Sequence, residues 1–130
     1  MIPDSVKAIV SPLDEKLGFE LLELSPERAV ARYPVKGNTQ PFGLWHGGAS
    51  GVVCETLASY AASMEVFPGG EARGVSLSVT HLRPAVSGHI TGVATAVRIG
   101  KRLATYEVIL TDDEDLEIAR GTVTVSLKRK

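Results

Sequence analysis

One segment constrains this chain more than any other. From Ala49 to Glu65, Ala49, Val53, Leu57, Tyr60 or Ala61, and Met64 recur at helical spacing, and most residues between them are small or apolar as well. A helix that is apolar all round belongs inside a protein, so other elements must enclose it. Phe67-Pro68-Gly69-Gly70 ends it.

The enclosing elements read as strands. Before the helix, Phe19 to Leu24 is apolar-rich, Ser25-Pro26-Glu27 is a turn, and Arg28 to Val35 places Ala29, Ala31, Tyr33 and Val35 on one face. After it, Val75, Leu77 and Val79 alternate with Ser76, Ser78 and Thr80. His89 to Ile99 carries Thr91, Val93, Thr95 and Val97 on one face. Ala104, Tyr106, Val108 and Leu110 mark a fifth strand, and Ala119, Gly121, Val123, Val125 and Leu127 a sixth. Arg83 to Gly88, Gly100-Lys101 and Asp112 to Asp115 read as the turns between them. Short links predict that the last four strands form an antiparallel meander. Pro3 to Lys16 has room for a short helix. The expected fold is α+β: about six antiparallel strands curled around one long central helix, as a single domain over residues 1–130.

Composition agrees with such a core and excludes several functions. Of 130 residues 44% are hydrophobic and 22% charged, a balance that argues against disorder. A net charge of -1 leaves no basic excess for nucleic acid. The single cysteine, Cys54, rules out a disulfide framework, and no Cys/His cluster suggests zinc or another metal. No apolar run reaches the roughly 18 residues of a membrane span. Met1 to Val10 lacks the apolar stretch of a secretory leader. A soluble cytoplasmic protein is expected.

Between His46 and Glu65 the only charged residue is Glu55. Burial there disfavours the charged form, a condition that suits a general base or nucleophile near neutral pH. The plainer alternatives are that this face meets water or that Glu55 pairs with an arginine. Ser59 lies four residues on, over the same face. The long loop from Lys36 to Gly48 leads through His46-Gly47-Gly48 into the helix. Helix N-termini present free N–H donors and the positive end of the dipole, which polarise a carbonyl; paired glycines also serve a simple tight turn. Gly47 and Glu55 are eight residues apart, about 12 Å along a helix rising about 1.5 Å per residue. One carbonyl cannot touch both in the same chain. If both act on it, Glu55 comes from a second subunit across a two-fold axis.

These residues resemble a known family. Gln40-Pro41-Phe42-Gly43, His46-Gly47-Gly48-Ala49-Ser50, Glu55 and Ser59 are similar to the hotdog-fold acyl-CoA thioesterases. The likeness is to the branch with the Arthrobacter-type 4-hydroxybenzoyl-CoA thioesterase and the 1,4-dihydroxy-2-naphthoyl-CoA hydrolases, and it runs from about Leu17 to Leu127. The resemblance implies Glu55 as nucleophile or general base, and the Gly47 N–H as donor to the thioester oxygen. It also implies Gln40 as an orienting or polarising amide, His46 as an assistant near the thioester, and Ser59 as the hydroxyl that positions carboxylate or water. It further implies sites between subunits of a homotetramer, a dimer of dimers. An aromatic acyl group follows from the resemblance alone, with CoA as part of the substrate and no other cofactor.

Thr80-His81-Leu82-Arg83-Pro84 resembles the family's pantetheine-lining strand end, with Thr80 where many relatives have asparagine. His81, Arg83, Lys101 and Arg102 are candidates for CoA binding, the cations as phosphate partners. Ordinary solvated surface is the plain alternative for each. Cys54 points about 100° away from Glu55 and reads as an inert buried thiol. Trp45 and Phe42 suit acyl, core or interface packing, and His89 the surface. Two rival functions stay open: an enoyl-thioester hydratase or dehydratase on the same fold, and a non-catalytic acyl-CoA-binding protein.

Overall fold

Two short helices, α1 (Asp4–Lys7) and α2 (Pro12–Leu17), lead into a strand pair, β1 (Glu20–Leu24) and β2 (Arg28–Pro34). The long helix α3 (Gly47–Val66) follows, then β3 (Glu71–His81), β4 (His89–Ile99), β5 (Leu103–Thr111) and β6 (Glu117–Lys128). This is a computed structural model, and it describes residues 2–9 and 11–130. Met1 and Val10, which fall within the leader and first-helix expectations, lie outside the described residues.

The strands form one antiparallel sheet in the order β1-β2-β4-β5-β6-β3, curled around α3. The inward faces are those the alternation marks on β2, β5 and β6. Ala29, Ala31 and Tyr33 are buried on β2, Tyr106, Val108 and Leu110 on β5, and Val123 and Val125 on β6. On β4 the buried residues are Ile90, Gly92 and Ala94, so Thr91, Val93, Thr95 and Val97 form the outer face.

Against these faces α3 buries Val53, Cys54, Leu57, Ala58, Ala61 and Ala62 completely. Each large apolar side chain so enclosed contributes about 1.5–3 kcal/mol. Two glycines allow the close approach. A Cβ on Gly92 would lie 2.6 Å from Val53 Cγ1, and one on Gly121 would lie 2.6 Å from Cys54 Sγ.

The expected four-strand meander is corrected in one place. β4, β5 and β6 are consecutive neighbours, but β3 pairs with β6, from Glu71↔Lys128 to His81↔Ala119. The link 82–88 is long enough to carry the chain from one part of the sheet to another. It is held on the way by Leu82 N–H to Ile118 O (2.8 Å), Trp45 N–H to Ala85 O (2.8 Å) and Val35 N–H to Gly88 O (2.9 Å). β3 therefore forms an edge, with Val75 58% and Leu77 40% exposed. No helix among the described residues is long and apolar enough to cross a membrane.

Candidate active site

The loop before α3 is fixed at several points. The Asn38 amide donates to Leu17 O and Pro34 O at 2.7 and 2.8 Å. The buried Trp45 donates its indole N–H to Ser50 Oγ at 2.8 Å, tying the loop to the first turns of the helix. Gln40 Oε1 accepts from the backbone N–H groups of Phe42 (2.6 Å) and Leu44 (3.3 Å). With its oxygen engaged, the amide has its NH₂ left to offer.

His46 is the N-cap of α3, and its Nδ1 accepts from the Gly48 N–H at 2.8 Å. Capping satisfies one of the orphan donors at the helix start. The Gly47 N–H has no backbone acceptor among the described residues. A Cβ here would lie 2.8 Å from the exposed His81 ring, so that ring sits directly against the helix start. Gln40, Gly47, His81 and Arg83 thus line one cleft of about 410 Å³. Arg83 also donates to Glu117 O at 3.0 Å. His46 opens on a neighbouring hollow of about 300 Å³ with Asn38 and Gly48.

Glu55 and Ser59 line a different cleft, of about 640 Å³, with Thr56, Tyr60 and Leu77 among its walls. The expectation of a buried carboxylate is corrected: Glu55 is exposed in its own chain. The reason is the edge position of β3, which covers this side of α3 with one strand and nothing beyond. The Glu55 side chain lies on the backbone of Gly74, where a Cβ would come within 3.2 Å of its Cδ. The β3–β6 register slips between Gly74 and Ser76, beside this contact.

The same cleft contains a residue that the sequence reading passed over. Asp14 on α2 is 4% exposed. Its carboxylate accepts from Ser11 Oγ (2.7 Å), Tyr33 OH (2.9 Å) and Thr56 Oγ1 (2.9 and 3.1 Å). Burial raises the Tyr33 phenol, and the Asp14 charge adds to that; Tyr60 is raised by the same two causes in the same order. The sequence signal for Asp14 was slight, a carboxylate between two leucine-bearing turns of a short helix.

Lys101 and Arg102 lie elsewhere. Arg129 donates to Lys101 O (3.0 Å) and Gly100 O (3.0 Å) and pairs with Glu65 at 3.2 Å. This places the β4–β5 turn by the C-terminal end of α3, about 30 Å from Gly47 by helix rise. The cleft of Gln40 and Gly47 therefore has Arg83 from its own chain but neither of these cations. Cys54 is fully buried, and burial pushes its thiol up to about 12. Phe42 stands 87% exposed at the loop tip.

Donors for a carbonyl oxygen in one cleft and a carboxylate with a hydroxyl in another are the parts of a hydrolytic acyl-transfer site. A long helix enclosed by a curled antiparallel sheet is the hotdog architecture, and comparison with known proteins agrees. The thioesterase superfamily profile matches residues 42–119. A 1,4-dihydroxy-2-naphthoyl-CoA hydrolase of Listeria monocytogenes is 35% identical over 91% of this chain and 98% of its own length. A proofreading thioesterase of Cronobacter turicensis is 35% identical over 81% of this chain and 77% of its own. Among solved structures, a thioesterase of Haemophilus influenzae superposes with a TM-score of 0.85 at 29% identity, covering 90% of this chain and 82% of that one. The chain belongs to the thioesterase superfamily, and it is a thioester hydrolase of the hotdog fold.

Proposed function

We propose that this enzyme hydrolyses an acyl-CoA thioester, with an aromatic acyl group, at sites shared between subunits. The Gln40 NH₂ and the Gly47 N–H hold the thioester oxygen and stabilise the oxyanion. Glu55 of a second copy either attacks the carbonyl carbon, breaking the C–S bond and forming an acyl–glutamyl anhydride that water then hydrolyses, or takes the proton from a water that attacks, after which the C–S bond breaks; on either route CoA leaves as thiolate and takes up the proton that water gives. Ser59 positions the carboxylate or the water, and His46 holds the helix start in shape beside the thioester. His81 and Arg83 line the entry for pantetheine and phosphate, with Lys101 and Arg102 as further phosphate partners across the assembly. CoA arrives with the substrate, and these steps use no other cofactor.

The observation that carries this reading is the division of the machinery. The oxygen-binding donors and the carboxylate occupy separate clefts of one helix. An antiparallel pairing of two α3 helices would bring each donor cleft to the other chain's Glu55. The exposed edge β3, with Val75 and Leu77 beside Glu55, offers the surface for that pairing. A dimer of dimers in the cytoplasm is the assembly and location that we infer. The name of the Listeria relative supports the aromatic acyl group.

The test is free-thiol release from a panel of aromatic and aliphatic acyl-CoAs, with wild type and Glu55→Ala side by side. Turnover of aromatic esters that collapses in the variant is expected. Turnover that survives would sink the role of Glu55, and hydration of an enoyl-CoA without hydrolysis would move the enzyme to the hydratases.

A further inference from the structure

We propose that Asp14 is a specificity-determining residue: its buried carboxylate, in the wall of the Glu55 cleft, makes that cleft reject acyl groups carrying a negative charge. The inference rests on the reading of this cleft as the acyl site.

Three observations support it. First, every hydrogen bond that reaches Asp14 from a side chain is a hydroxyl donating into it, and Thr56 spans both oxygens. Both carboxylate oxygens are thus held by hydroxyls and by no charged group. Second, no cation answers the charge. None of the ion pairs among the described residues involves Asp14, and the residues lining the cleft include Asp14 and Glu55 but no Lys, Arg or His. Third, Asp14 and Tyr60 both line the cleft, and after burial the Asp14 charge is the second cause that raises the Tyr60 phenol.

Glu55 is needed for chemistry, so its charge is unavoidable. Asp14 adds a second one, deeper and screened less by solvent. An acyl group ending in a carboxylate would place a third negative charge between them, with its hydration lost and no cation from this chain's wall of the cleft to answer it. A neutral group of equal shape meets Val52, Leu77 and the Tyr60 ring instead. Selectivity then comes from repulsion of the wrong ligand as much as from attraction of the right one.

The experiment uses two esters that differ in charge and not in shape, 4-carbamoylbenzoyl-CoA and 4-carboxybenzoyl-CoA. Wild-type kcat/KM is expected to favour the carbamoyl ester by at least about 100-fold, the scale of an unrelieved like-charge contact. Asp14→Asn should narrow that ratio by about tenfold, since Glu55 still repels. Leu13→Arg changes an exposed residue at the rim of the cleft and should narrow it also, by supplying the missing cation. Equal wild-type rates on the two esters would overturn the proposal. So would an Asp14→Asn protein that slows both esters alike, which is the behaviour of a purely structural residue. If Asp14→Asn does not fold, the Leu13→Arg ratio decides. If wild type hydrolyses neither ester, the acyl-CoA reading fails separately. Calorimetric binding of the same two esters still decides the charge discrimination, equal affinities refuting it.

Discussion

The two long faces of α3 end differently. Toward β4, β5 and β6 the helix is finished: Val53, Cys54, Leu57 and Ala58 have no solvent contact, and glycines in the sheet admit them closely. Toward β3 it is unfinished: Glu55 is exposed, and Val75 and Leu77 beyond it are too. The finished face has the composition of a core and needs no second chain. The unfinished face combines a carboxylate, a cleft of about 640 Å³ and exposed apolar side chains on a sheet edge. Edges of this kind are usually blunted or paired. The difference teaches that a helix apolar all round need not be fully enclosed by its own sheet, and the proposed second copy would cover the side left open.

Two substitutions, two residues apart, sharpen this contrast most. Glu55→Ala should lower kcat by about 1,000-fold or more, about 4 kcal/mol in the barrier, as loss of an essential nucleophile or base does. Its thermal midpoint should stay near that of wild type, because the side chain is exposed. Leu57→Ala should do the reverse. It empties a completely buried site between α3 and Gly92, at a cost of about 3 kcal/mol in a denaturant melt, with activity kept per folded molecule. A Glu55→Ala protein that melts early, or a Leu57→Ala protein as stable as wild type, would erase the distinction.

Alkali tests the finished face through its titratable side chains. Cys54, next to Glu55 in sequence, keeps its proton up to about 12 against an ordinary value of 9.0, and Tyr106 to about 12 against 10.0, chiefly through burial. Both values are raised by folding, so the unfolded chain ionises first. Their contribution is complete below pH 9 and is lost as the pH rises toward 12. Each group removes up to about 1.4 kcal/mol per pH unit within its window. Melts at rising pH should show stability declining from about pH 9, and Cys54→Ala should delay the onset. A flat profile to pH 11 would mean that the thiol and phenol are reached by solvent.

Much of this was legible before the structure, and the limits have physical causes. Apolar spacing marks the long helix from Ala49 to Glu65 and it runs Gly47–Val66, because that spacing and the proline-glycine stop are local signals. The faces of β2, β5 and β6 were legible because period-two alternation marks burial directly. The pairing of β3 with β6 was not, because the links around β3 permit more than one neighbour and alternation names none of them. Nor was the exposure of β3, since an apolar face looks the same whether its own core or another chain will cover it. In the site, the separation of Gly47 from Glu55 followed from helix rise alone. Asp14 stayed hidden because its donors Tyr33 and Thr56 lie 19 and 42 residues away in the chain.

The division of labour across α3 can be broken directly by mixing subunits. Gln40→Ala removes the proposed oxygen-binding amide and Glu55→Ala the proposed catalytic carboxylate, so each protein alone should be nearly inactive. If each site takes Gln40 from one chain and Glu55 from the other, a hybrid pair contains one site with both losses and one with neither. Equal co-expression makes about half of the pairs hybrid, so the mixture should recover about one quarter of wild-type activity. If donors and carboxylate served one site within a single chain, every site in every hybrid would lack one of them, and mixing would restore nothing. The two outcomes do not overlap. The readout depends only on which chain supplies which residue, so it tests the unfinished face without assuming the identity of the acyl group.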